Sequence, residues 1–99
     1  MFILQPSGAF LDDVESYPFP MFGTPPQWRR EYYQYLYRSI MEQAKPLGVR
    51  MWDFSRALNA PAANGEPVFL EWQHPTGKGN QYVANRIAAI LRERIPLMR

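Results

Sequence analysis

An α/β fold of parallel strands, a crossover helix and a C-terminal helix is what this sequence predicts, and three observations predict it. Two short apolar runs, Phe2-Ile3-Leu4 and Val49–Phe54, have the length of strands and lie far apart in the chain. Between them, from Gln27 onward, apolar and aromatic residues recur at helical spacing. After Thr76 a second stretch repeats that spacing with a clean polar face. Strand, helix and strand in this order make a βαβ unit, which requires a parallel pair of strands.

Each element has a local cause. Phe2-Ile3-Leu4 is cut off by Gln5-Pro6, since proline cannot continue a hydrogen-bonded ladder. A buried strand directly after the first Met normally has other strands beside it, and none precedes this one. Residues 7–26 carry Pro18, Pro20, Pro25 and Pro26 with Phe10, Tyr17, Phe19 and Phe22 between them, and predict a long irregular loop. Two readings of it stay open: an aromatic rim over a substrate cleft, or a surface excursion packing its own aromatics.

The helix from Gln27 has Trp28, Tyr32, Leu36, Ile40 and Ala44 in an i+4 row, widened by Tyr33, Tyr37 and Met41. Pro25-Pro26 suit its start, and Pro46 and Gly48 its end. Residues 59–65 predict a turn-rich connector into Val68-Phe69-Leu70, a brief extended segment. Thr76 is the expected N-cap of the last helix. There Val83, Ile87, Ile90, Leu91 and Ile95 form the apolar face, with Ala84 and Ala88 beside it allowing close approach to a sheet. Asn85, Arg86, Arg92 and Glu93 face water.

Composition bounds the functions. Ninety-nine residues allow one small domain or a piece of a larger one, and 46% hydrophobic with 15% aromatic content is too apolar for a disordered chain. The net charge is +2 with the basic residues spread out, which does not indicate nucleic acid or an anionic membrane as partner. Absence of cysteine excludes disulfides and thiolate metal sites. Met1-Phe2-Ile3-Leu4 is no signal peptide, and no run approaches the roughly 18 apolar residues of a membrane span. The compartment is cytoplasmic by default.

The chemistry concentrates in Glu71-Trp72-Gln73-His74-Pro75-Thr76, which contains the only histidine of the chain. An imidazole on a loop at the end of a sheet suits a general base. A carboxylate three residues earlier is close enough to fix its tautomer, and a helix start pins the loop. One His and one Glu are a poor ligand set for a metal. A merely structural histidine is the bland alternative. The tyrosines of the first helix with Arg29, Arg30 and Arg38 could be taken as a base-stacking platform, but a helix face packed on a sheet is far commoner.

The run from Glu71 to Asn80, followed by Val83-Ala84 and Ile87-Ala88, resembles the last conserved block of the SGNH (GDSL-type) esterase/lipase superfamily. There an Asp-x-x-His-Pro segment supplies the acid and base of a Ser-His-Asp triad just before the C-terminal helix. The resemblance implies His74 as catalytic base and Glu71 as its acidic partner, glutamate standing where the family has aspartate. It implies a partial three-layer α/β/α, flavodoxin-like sandwich, with residues 1–99 as the C-terminal portion of one such domain. It implies a hydrolase of carboxylic esters, with a small-molecule ester as substrate and no cofactor.

The family's Gly-Asp-Ser nucleophile block and the glycine and asparagine of its oxyanion hole are absent. Ser7, Ser16, Ser39 and Ser55 all lie outside such a context, so no nucleophile is assigned. The chain is therefore expected to be inactive alone and to need a missing N-terminal portion or a partner chain. From another class, it could be a non-catalytic interaction module that uses its Pro/aromatic loop and tyrosine-rich helix.

Overall fold

Phe2–Leu4 forms β1 and Met51–Asp53 forms β2, paired in parallel with Phe2 opposite Met51, Ile3 opposite Trp52 and Leu4 opposite Asp53. The structure is a computed structural model that describes residues 1–94. The remaining elements are α1 (Gln27–Ala44), a short α2 (Asn59–Ala63), β3 (Phe69–Glu71), β4 (His74–Pro75) and α3 (Gly77–Arg94). The fold is thus mixed helix and strand, with the expected parallel pair joined through α1. β2 is shorter than the apolar run suggested: its register begins at Met51 opposite Phe2, and past Asp53 the Phe54 N–H still bonds to the Leu4 carbonyl at 3.0 Å before Asp53 Oδ1 accepts the Ser55 N–H at 2.9 Å and turns the chain.

The second sheet is a separate antiparallel hairpin. Phe69 pairs with Pro75 and Glu71 with His74, with an irregularity between them. The segment Val68-Phe69-Leu70 is extended as expected, but it does not join β1 and β2. His74 consequently opens β4 of this hairpin and does not lie on a loop from the parallel sheet.

Residues 7–26 depart most from expectation. Gly8–Phe10 and Val14–Ser16 are 3-10 turns, and Ser7 through Leu11 and Val14 are buried. Leu11 and Val14 pack with Leu58, Val68 and Phe69, while Ala9 and Phe10 pack with Trp72. The core lies between this segment, the 58–62 turn and the hairpin. A short two-stranded sheet offers too little surface to bury these aromatics, and local 3-10 bonds let an irregular backbone satisfy its own polar groups. Residues 59–65, expected as a connector, contain α2 with Pro61 buried.

Tyr17 shows how the loop holds the hairpin. Its hydroxyl accepts the N–H of Val68 at 3.0 Å and of Phe69 at 2.9 Å. Removing that oxygen leaves two amides without protein partners. Tyr17→Phe is expected to lower unfolding free energy by about 1–3 kcal/mol in urea denaturation. An unchanged midpoint would show that water replaces the hydroxyl.

α1 turns inward the Tyr33, Tyr37 and Met41 side of the expected stripe, with Ala44 buried and Leu36 half-buried from the i+4 row. Tyr33, Tyr37, Met41 and Ala44 are buried or half-buried, whereas Trp28 is 63% exposed and Tyr32 and Ile40 are also exposed. The reason is geometric. At about 100° per residue an unbroken i+4 row precesses roughly 40° per step, so five members wind around the helix. A straight face mixes steps of three and four, as 30-33-37-41-44 does. Tyr37 packs on Phe10 at 4.8 Å between ring centroids, and its hydroxyl donates to the Gln5 carbonyl at 3.0 Å. Burial raises the Tyr37 pKa, helped by the neighbouring Tyr33 and Asp53. α1 thus meets the Gly8–Phe10 turn more than the sheet.

α3 follows expectation more closely. Val83, Ile87 and Ile90 are half-buried, and Asn85, Arg86, Arg92 and Glu93 are exposed. Arg86 stacks on Phe54 and Arg94 on Trp52, which places α3 beside β2. Of the two small residues beside that face, Ala84 is exposed and Ala88 half-buried. Gly79 is the buried residue of α3, and a Cβ there would overlap the Val68 carbonyl oxygen and touch Pro75. Ile95 lies outside the described residues.

Candidate active site

The hairpin turn Glu71-Trp72-Gln73-His74 is fastened from behind. Trp72 is buried, and its carbonyl accepts the Gly8 N–H at 2.7 Å and the Ser7 hydroxyl at 3.1 Å. The Ser7 oxygen in turn accepts the Ala9 N–H at 3.1 Å. Gly8 is required by this approach, since a Cβ would stand 2.9 Å from Trp72 Cα. Tyr33 meets the Trp72 ring edge-on at 4.9 Å, and the Arg29 guanidinium lies 5.4 Å from its centroid. The turn is clamped between the first 3-10 turn and α1.

The far side of the turn is fixed by α3. Thr76 Oγ1 accepts the Gly79 N–H at 3.0 Å, the capping bond the sequence predicts, and donates to the Pro67 carbonyl at 2.6 Å. The Thr76 N–H donates to Val68 at 2.9 Å. Glu66 pairs with Lys78 at 2.8 Å and accepts the Tyr82 hydroxyl. Its hydrogen bonds from Lys78 and Tyr82 hold the carboxyl below the usual range, and the same contacts with Glu66 raise Lys78 and Tyr82.

Between these two anchors Glu71 and His74 meet. Nδ1 of His74 lies 2.6 Å from Oε1 of Glu71. The carboxylate side chain is 14% exposed and the imidazole 71% exposed. With Nδ1–H donating to the carboxylate, the lone pair of the neutral ring is on Nε2. The structure therefore brings together the acid and the histidine that the sequence singles out, on a largely exposed imidazole. Chemically, such a pair can accept a proton at Nε2 and return it.

The serines stand apart. Ser7 and Ser55 are buried, and Ser7 spends its hydroxyl on Trp72. Among the described residues no serine hydroxyl is hydrogen-bonded to His74. No group of three or more metal-ligating side chains occurs among the described residues. No helix there is long and apolar enough to cross a membrane.

A cleft of about 370 Å³ does have the Pro/aromatic segment as one wall. Leu11, Tyr17, Pro18 and Pro20 face Asn59 and Pro67 across it. Neither Glu71 nor His74 lines it. Phe10, Tyr17 and Phe19 turn inward, leaving Phe22 as the exposed aromatic, at 82%. Phe22 and Gly23 have φ of 60° and 68°, so the tip turns through two left-handed residues. Sequence reasoning missed the Ser7–Gly8 clamp. A small-polar pair after Gln5-Pro6 is a turn signal, but its partner lies 65 residues away.

Comparison with protein-family models, with curated proteins and with solved structures gave no match.

Proposed function

We propose that this chain supplies the base and its acidic partner to a serine ester hydrolase of the SGNH type. The observation that carries the reading is the 2.6 Å Glu71–His74 contact, with the carboxylate shielded and the imidazole open. Support comes also from the order of elements. A parallel pair precedes the acid–base block, and a capped helix follows it directly. In this reading the parallel strands belong to a three-layer α/β/α sandwich whose other strands come from a missing N-terminal portion or a partner chain.

The same source provides the serine and the oxyanion hole. His74 Nε2 takes the serine proton as the oxygen bonds to the ester carbonyl carbon. The protonated ring then gives that proton to the departing alcohol oxygen as the ester C–O bond breaks. Water attacks the acyl-enzyme by the same relay. Glu71 holds the ring and stabilises its charged form, and backbone donors of the oxyanion hole stabilise the tetrahedral intermediate. No cofactor takes part, and the substrate is a small-molecule carboxylic ester.

A fluorophosphonate probe tests this directly. The assembly that includes a Gly-Asp-Ser serine is expected to label on that serine, and His74→Ala is expected to suppress labelling. Residues 1–99 alone are expected not to label. Labelling on Ser7, Ser16, Ser39 or Ser55 of the isolated chain would refute the assignment.

A second reading draws on the outer face of α1, where Trp28, Tyr32 and Tyr35 are exposed together. It makes the chain a protein-binding module whose binding is indifferent to His74→Ala.

A further inference from the structure

We infer that Ser7 is a positioning residue for the Glu71–His74 pair. Its buried hydroxyl registers the hairpin turn against the parallel strands and thereby keeps the imidazole proton on Nδ1. Its part in turnover rests on the proposed hydrolase reading, whereas its effect on the ring does not.

The tie runs through a single residue. Ser7 follows β1 after Gln5-Pro6 and is 5% exposed. Its N–H donates to the Ser55 carbonyl at 3.5 Å, just past β2. Its hydroxyl donates to the Trp72 carbonyl at 3.1 Å, in the turn of the hairpin. Ser7 therefore bridges the ends of both sheets. The hydroxyl has a second task as N-cap of the Gly8–Phe10 turn, where it accepts the Ala9 N–H at 3.1 Å. That turn presents the Gly8 N–H to the same Trp72 carbonyl, 2.7 Å away. Loss of the hydroxyl thus removes one of the two bonds and loosens the turn that supplies the other.

What the Trp72 carbonyl controls follows from the hairpin. β3 ends at Glu71 and β4 begins at His74, so Trp72 and Gln73 are the central residues of the turn and share its middle peptide. The plane of that peptide sets the directions in which the chain leaves toward Glu71 and His74. Their contact of 2.6 Å depends on those directions, because hydrogen bonds weaken steeply as distance and angle drift. The imidazole has no second hydrogen-bond partner among the described residues to hold it. Which ring nitrogen keeps the proton is set by the bond the ring makes. The tautomer of His74 therefore reports whether the turn is held.

The single histidine of the chain makes this measurable by nitrogen NMR of the imidazole, at alkaline pH where the ring is neutral. The chain is expected to show Nδ1 protonated and Nε2 bare, and Glu71→Ala to supply the reference for a free ring. Ser7→Ala, with a circular dichroism spectrum matching the unmutated chain, is expected to move both nitrogen shifts toward that reference. Ser7→Cys keeps the volume but replaces the hydroxyl by a weak donor, and it carries the test if Ser7→Ala does not fold. In the assembly that supplies the serine, Ser7→Ala is expected to lower kcat about tenfold with KM unchanged, since a buried Ser7 meets no substrate. Ring shifts that stay in place in a folded Ser7 variant would overturn the inference, even where that variant melts earlier, because the role would then be structural alone. An unmutated assembly that hydrolyses no ester rejects the hydrolase reading instead, and the ring shifts of the chain still decide what Ser7 does.

Discussion

Replacing His74 by alanine is expected to lower kcat/KM for p-nitrophenyl acetate by about 10³-fold or more in the assembly that supplies the serine. The size follows from the role: without Nε2 the serine hydroxyl has no proton acceptor, and the leaving alcohol has no donor. The same substitution is expected to leave the melting midpoint nearly unchanged, because the imidazole is 71% exposed and touches little beyond Glu71. A loss of rate without a loss of stability separates chemistry from folding. Glu71→Ala is expected to cost less, about 10²-fold or under, since the ring keeps its nitrogen and loses only its orienting partner. Initial rates and thermal melts of both variants decide the matter. Full activity without His74 rejects the base assignment.

Phe69→Ala is expected to lower unfolding free energy by about 3–5 kcal/mol, measured by urea denaturation. Phe69 is 1% exposed and packs with Leu11, Val14, Leu58 and Val68, and its ring meets Tyr17 at 6.1 Å and Phe19 at 6.3 Å. Small domains hold about 5–15 kcal/mol in total, so this one truncation removes much of the margin. β3 carries Glu71 two residues farther on, and the Glu71–His74 contact is expected to fail along with the strand. A cost below about 1 kcal/mol would show that the core does not depend on the junction of loop and hairpin.

The two experiments probe one arrangement from opposite sides. In the proposed hydrolase, the His74 turn is exposed where proton transfer needs access and clamped where it needs order. Ser7, Gly8 and Trp72 hold it from one side, and Thr76 and Gly79 from the other. For the proposed base, pre-organisation of this kind avoids spending binding energy on ordering the loop during turnover.

Periodicity and capping, which depend on neighbours a few residues away, made α3, the Thr76 cap and the existence of α1 legible in the amino-acid sequence. The spacing of Glu71 and His74 likewise announced their contact, since a three-residue turn leaves the two side chains within reach. Only the tertiary structure decided which side of the apolar stripe of α1 is buried, because Phe10 and Trp72 pack against Tyr37 and Tyr33. It alone turned the 7–19 segment into core, paired β3 with β4 apart from the parallel strands, and set Ser7 behind the His74 turn. Each of these depends on contacts between distant parts of the chain. Local propensity carries no information about such partners, and burial of apolar surface chooses among them only when the whole chain is assembled.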